Sequence, residues 1–121
     1  MINGPRITSI WSEDLNNLLP FYRDTLGLTP KIEADGFVAF TELGTPGLAL
    51  GTHSEVKGAN GDPARHMVAL STDDLDADYE RLTDAGVEFI ETPTDSPNGG
   101  PRIATLRDPE GNLVQLFQIA N

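Results

Sequence analysis

The sequence contains no cysteine, which removes disulfides, thiolate metal sites and a cysteine nucleophile from consideration. Basic residues are scarce as well, with 8 Lys and Arg against 19 Asp and Glu and a formal net charge of −11. Nucleic acid is therefore not an expected partner, because phosphate binding needs clustered Lys and Arg. The acidic field would favour a cationic ligand, although charge of this sign also simply keeps a protein soluble. No apolar run approaches the ~18 residues of a membrane span, so no membrane partner is expected. The N-terminus lacks a basic segment followed by a long apolar stretch, so no signal peptide is expected and the simplest reading is a soluble cytoplasmic protein. Neither a GxGxxG nor a Walker pattern occurs. The 2 histidines are poorly placed for a Ser-His-Asp arrangement.

What is present begins with one stretch near the C-terminus, Leu106 to Gln118. Asp108-Pro109-Glu110-Gly111-Asn112 is turn chemistry: proline presets φ, and glycine and asparagine tolerate positive φ. Arg102–Leu106 and Leu113–Ile119 flank it as β-prone runs, which together read as a hairpin. In the second run Leu113, Gln115 and Phe117 share one face. Gln115 is thus a polar residue among apolar neighbours.

Earlier in the chain, Ile7–Ser12 reads as a strand with Ile7, Ser9 and Trp11 on one face. Asp14 is a helix N-cap, followed by the apolar stripe Leu15, Leu18, Leu19, Tyr22 and Leu26, with Gly27 ending the helix. Pro20 lies inside it and should remove one backbone hydrogen bond. Strands are expected at Thr29–Glu33, Phe37–Glu42 and Leu48–Thr52, with turns at Ala34-Asp35-Gly36 and at Leu43-Gly44-Thr45-Pro46-Gly47. After a polar linker the pattern restarts: a strand at His66–Thr72, a helix capped by Asp73 or Asp74 with the stripe Leu75, Tyr79, Leu82 and Ala85, and Gly86 ending it. A strand at Val87–Glu91, a loop at Thr92–Pro101 and the hairpin complete the chain.

The order is a repeat. Asp14-Leu15 answers Asp74-Leu75, and Leu26-Gly27-Leu28 answers Ala85-Gly86-Val87. The expected fold is α+β, from tandem β-α-β-β-β modules over residues 1–55 and 65–121 with a linker at 56–64, forming one domain. A half of this size buries little surface alone, so each is expected to need a partner.

These motifs together resemble the vicinal oxygen chelate superfamily, which includes glyoxalase I, extradiol dioxygenases and bleomycin-resistance proteins. The matching residues are Asp14-Leu15, Phe21-Tyr22, Leu26-Gly27-Leu28, Asp74-Leu75, Gly86 and Asp108 to Asn112. The resemblance implies a curved mixed sheet with a U-shaped cavity, a homodimer, and commonly a Zn, Ni, Mn or Fe ion held by His, Glu or Gln on the first and last strands of each module. Carried onto this chain, those positions fall on Ile7, on Ala49 or Gly51, on Met67 and on Gln115. Only Gln115 can ligate a hard cation. His66 adjoins Met67 and, with Gln115, is the alternative ligand set. A one-residue slip or a bulge would be needed to turn it inward. His53 reads as a surface residue.

No cofactor is therefore expected, with a divalent metal as the alternative. The expected ligand-binding residues are Ile7, Ser9, Trp11, Met67, Ala69, Gln115 and Phe117, with Phe37 adding to an apolar lining. Trp11 would be a stacking platform and Gln115 a hydrogen-bonding group. Asn98-Gly99-Gly100 is flexible enough for a lid. Glu13 and Glu42 would be bases only if partly buried. The favoured function is metal-free binding of a small molecule, sequestering an antibiotic or other aromatic natural product. The alternative is a glyoxalase-like lyase or isomerase.

Overall fold

A computed structural model describes residues 1–42 and 45–119. By its internal packing the chain divides into two compact units, Met1–Gly58 and Ala59–Asn121. No helix among the described residues is long and apolar enough to cross a membrane.

The first unit carries β1 (Ile7–Ser12), β2 (Ile32–Ala34), β3 (Phe37–Ala39) and β4 (Gly47–Thr52). They form one mixed sheet in the order β1-β4-β3-β2, with β1 parallel to β4 and the other pairs antiparallel. Parallel neighbours need a long crossover, and residues 13–31 supply its first leg. Asp14 caps that leg as expected, its carboxylate accepting the Asn16 N–H at 3.0 Å. The regular α-helix expected after it does not form. A 3-10 turn at Leu15–Asn17 gives way to a π-helical turn at Phe21–Thr25. Pro20 is the physical reason, since it has no N–H to continue the ladder. Beyond it the Leu26 N–H reaches the Phe21 carbonyl at 2.8 Å, one residue further than an α-helix would allow. The apolar stripe survives the change of winding. Leu15, Leu18 and Tyr22 are buried with Val38, Leu48 and Leu50.

β2 and β3 are shorter than the expected runs. Pro30, lacking a donor, precedes β2, and Gly36 turns between the two strands at φ 74°. Of the expected turn after β3, Leu43 and Gly44 lie outside the described residues.

The second unit repeats the plan with β5 (Val68–Ser71), α1 (Leu75–Asp84), β6 (Phe89–Thr94), β7 (Arg102–Arg107) and β8 (Leu113–Gln118). The strand order β5-β8-β7-β6 matches the first sheet position for position. Asp74 caps α1 through the Ala77 N–H at 3.1 Å. Leu75 and Leu82 bury its inner face, and Tyr79 packs edge-on against Phe89 with ring centroids 4.8 Å apart. β5 begins two residues later than the sequence suggests, so His66 and Met67 precede it. β6 runs later than expected and through Pro93, which an edge strand tolerates because the missing N–H costs no ladder bond.

The hairpin between β7 and β8 forms around Asp108, which is 5% exposed. Its Oδ1 accepts the N–H groups of Glu110 and Asn112, both at 2.9 Å, and its Oδ2 accepts the Asn112 side-chain amide at 2.8 Å. Asn112 in turn accepts the Asn60 amide at 2.9 Å, and the Asn60 N–H donates to the Glu110 carbonyl at 2.9 Å. One buried carboxylate thus holds both the turn and the segment docked on it. Replacing Asp108 by Ala strands three donors. It should cost about 2 kcal/mol or more, which thermal denaturation would read as a fall in Tm of roughly 6–10 °C.

Candidate functional site

Strand pairing decides which side chains meet. In the first sheet Ile7, Ser9 and Trp11 on β1 stand opposite Gly47, Ala49 and Gly51 on β4. Phe37 and Ala39 on β3 continue the last two of these rows. This face is the one turned away from the buried Leu48, Leu50 and Val38, by strand alternation. Its middle strand therefore carries only glycine and alanine. The consequence appears at Gly51. A Cβ there would lie 2.4 Å from Trp11 Cζ3 and 2.7 Å from Cε3. The indole's six-membered ring lies across the strand in the space that the missing side chain leaves. Trp11 remains 43% exposed, with His53 edge-on at a centroid distance of 5.7 Å. It is a surface platform rather than a core residue. His53 is exposed, as expected, and its Nδ1 accepts the Glu55 N–H at 3.1 Å.

In the second sheet Ala69, Gln115, Thr105 and Glu91 are consecutive partners from β5 to β6. Ser71, Phe117, Ile103 and Thr94 form the next row. Gln115 and Phe117 are half-buried, and Met67, before the strand, is exposed. The sequence reading placed Ala69, Gln115 and Phe117 on one face, and the register brings them together. Thr105 and Glu91, absent from the expected set, extend the same row. Thr105 was readable, because a hairpin closed by Asp108 to Asn112 puts it opposite Gln115. Glu91 was not, because β6 departs from regular register on both sides of it.

The family pattern of metal ligands meets side chains that do not fit it. Ile7, Ala49 and Gly51 have no donor, and the Met67 thioether is a poor ligand for hard cations. Gln115 alone offers an oxygen. His66 is exposed and lies ahead of β5, which begins at Val68. Among the described residues no group of three or more His, Asp or Glu side chains could hold an ion. Glu13 and Glu42 are exposed and pair with Lys57 and Lys31, so neither has the burial that a general base near neutrality needs. The Asn98-Gly99-Gly100 stretch overlaps a 3-10 turn, Pro97–Gly99, spanned by the Ser96 hydroxyl donating to the Pro101 carbonyl.

The basic side chains elsewhere are largely paired. Arg102 bridges Asp76 at 2.7 Å and Asp95 at 3.1 Å. Hydrogen bonding to Asp76, then to Asp95, raises its guanidinium pKa further. Arg23 likewise lowers the Asp24 carboxyl through a side-chain hydrogen bond.

Gly51 gives a direct test of the platform. Gly51→Ala should drive the indole off β4, because its own φ is one that alanine adopts. Tryptophan emission should shift to longer wavelength and acrylamide quenching should increase. The variant should keep its far-ultraviolet circular dichroism and lose about 1 kcal/mol of stability.

Comparison with known proteins places this geometry. The description "Glyoxalase/Bleomycin resistance protein/Dioxygenase superfamily" matches residues 6–116. The uncharacterised protein YwbC of Bacillus subtilis is 28% identical over 118 residues, covering 92% of this chain and 94% of that protein. Among solved structures, TnmS3, an antibiotic binding protein from Streptomyces sp. CB03234, is 25% identical with a TM-score of 0.72, covering 98% of each chain. A superfamily member from Sphaerobacter thermophilus is 27% identical with a TM-score of 0.71, covering 97% of this chain and 98% of its own. The match spans both repeats, from the start of β1 into β8, and the chain belongs to the Glyoxalase/Bleomycin resistance protein/Dioxygenase superfamily.

Proposed function

We propose that this chain is a metal-free binding protein that sequesters an antibiotic or another aromatic natural product in the cytoplasm. The observation that carries the reading is the Trp11 indole lying half-exposed across Gly51. A flat, exposed ring on a strand of small residues offers a stacking surface for another flat ring. The chemistry of the ligand positions supports the same reading, since Ile7, Ala49, Gly51 and Met67 supply none of the donors a catalytic ion needs. The similarity to TnmS3, described as an antibiotic binding protein, agrees with it. Ile7, Ser9 and Trp11 act on the first sheet, and Ala69, Gln115 and Phe117 on the second, with Met67 just ahead of β5. Gln115 orients the ligand by a hydrogen bond.

The test is a fluorescence screen. A stacked aromatic ligand should quench the protein's 1 tryptophan, so polycyclic and glycopeptide natural products can be titrated directly. By calorimetry, Trp11→Ala should weaken a hit about thirtyfold, some 2 kcal/mol of lost stacking and burial. Gln115→Ala should cost about 1 kcal/mol, as one neutral hydrogen bond. Elemental analysis should find no stoichiometric Zn, Ni, Mn or Fe. A metal lost on His66→Ala, or turnover of methylglyoxal–thiol adducts, would replace this reading with a glyoxalase-like lyase.

The proposed assembly is a homodimer. Ile7, Trp11, Met67, Ile90 and Ile119 are exposed apolar residues on a small chain, which favours a self-complementary partner. Sedimentation at tens of micromolar should give twice the chain's 13.0 kDa mass. A 13.0 kDa species would refute it.

A further inference from the structure

We infer that Glu91, Thr105 and Gln115 form a subsite for a protonated amine on the ligand, an inference that rests on the ligand-binding reading above. The three residues are neighbours in one row across β6, β7 and β8. Thr105 is 5% exposed, and its hydroxyl donates to Glu91 Oε1 at 3.4 Å. That is long for a hydroxyl donor, so it steers the carboxylate without satisfying it. Glu91 itself is exposed and makes no ion pair among the described residues.

The chain's cations are engaged elsewhere. Arg23, Lys31, Lys57, Arg65, Arg81, Arg102 and Arg107 each stand beside another carboxylate. With 8 basic residues against 19 acidic ones, most carboxylates must lack a cation. Of these, Glu91 is the one set by register on the ligand-facing row. The strand shifts register between Phe89 and Glu91 and again between Glu91 and Thr94. Bulges of this kind re-aim a side chain, and they concentrate beside binding sites.

The neighbouring row defines the ligand's shape. Phe117 and Ile103 lie one step along their strands from Gln115 and Thr105. Two residues of strand span about 6.8 Å. Glu91 on β6 lies two strand spacings, about 9.6 Å, across from Gln115 on β8, so a ring lying over Ile103 and Phe117 presents an ammonium on a short arm to the long Glu91 and Gln115 side chains above Thr105. An ammonium has three donors, and a carboxylate with an amide carbonyl supplies acceptors of the right kind.

Two isosteric probes separate charge from stacking: 9-aminomethylanthracene, protonated at neutral pH, and 9-hydroxymethylanthracene, which is neutral. Calorimetric titration at low salt should show the amine binding about fivefold tighter, the upper range for a solvent-accessible ion pair. Glu91→Gln should bring the ratio close to one with the neutral probe still bound. Thr105→Val should reduce the ratio in part. Glu80→Gln, which removes the same charge from the exposed face of α1, should leave the ratio as in the parent, which separates a local contact from the overall acidic field. Equal binding of both probes, or a preference that survives Glu91→Gln, would overturn this subsite and leave the stacking reading intact. Failure of both probes to bind would count against both.

Discussion

Each unit is closed by one hydrogen bond of the same kind. The N–H of the first helical residue cannot be satisfied within its own helix. In the first unit the Leu15 N–H donates to Thr52 Oγ1 at 3.1 Å, and in the second the Leu75 N–H donates to Gln118 Oε1 at 2.8 Å. Both acceptors sit at the end of the last strand, and both leucines are buried. The bond joins the start of the crossover to the strand that comes last in the module. That strand must then lie beside the first, and in parallel. The remaining two strands can only continue the sheet outward by hairpins, which is the order seen twice.

Once first and last strands are neighbours, alternation determines the outer face. Every second residue of β1 and β4 packs with the leucines of the crossover, and the others meet across the opposite side. In the first unit those others are Ile7, Ser9 and Trp11 against Gly47, Ala49 and Gly51. On this face β4 carries only Gly47, Ala49 and Gly51, and the Trp11 ring lies in the space left at Gly51. The platform follows from closure of the module and from one glycine, with no dedicated loop to hold it.

Much of this was legible beforehand, for reasons that also explain what was not. The repeat, the caps at Asp14 and Asp74, and the hairpin around Asp108 depend on local chemistry, and local chemistry is written in sequence order. The faces of β1 and β8 followed from alternation alone. The winding of the first crossover did not: Pro20 announces a lost bond, but whether the chain kinks, tightens or widens depends on what its stripe must reach. The Gly51–Trp11 contact spans forty residues of sequence, and no periodicity reports such a pair. Glu91 was hidden for a related cause, because two register shifts break the parity on which the reading of a strand depends.

The two units have kept one topology and diverged in the chemistry of their faces. In the first, the row through Ser9 reads Ala49, Ala39 and Ile32, and is almost wholly apolar. In the second, the corresponding row reads Ala69, Gln115, Thr105 and Glu91. Backbone hydrogen bonds maintain the sheet whatever these side chains are, and the crossover packs on the other side. Exposed positions of the outer rows, such as Ala69 and Glu91, can therefore vary with little cost to the core, which is where a fold can change its ligand while keeping its frame. A metal site needs several donors at fixed distances, so losing two of them removes the rest from use. A stacking surface and a row of acceptors make no such collective demand. Each contributes by itself, and for that reason the proposed binding does not depend on the donors that Ile7 and Met67 lack.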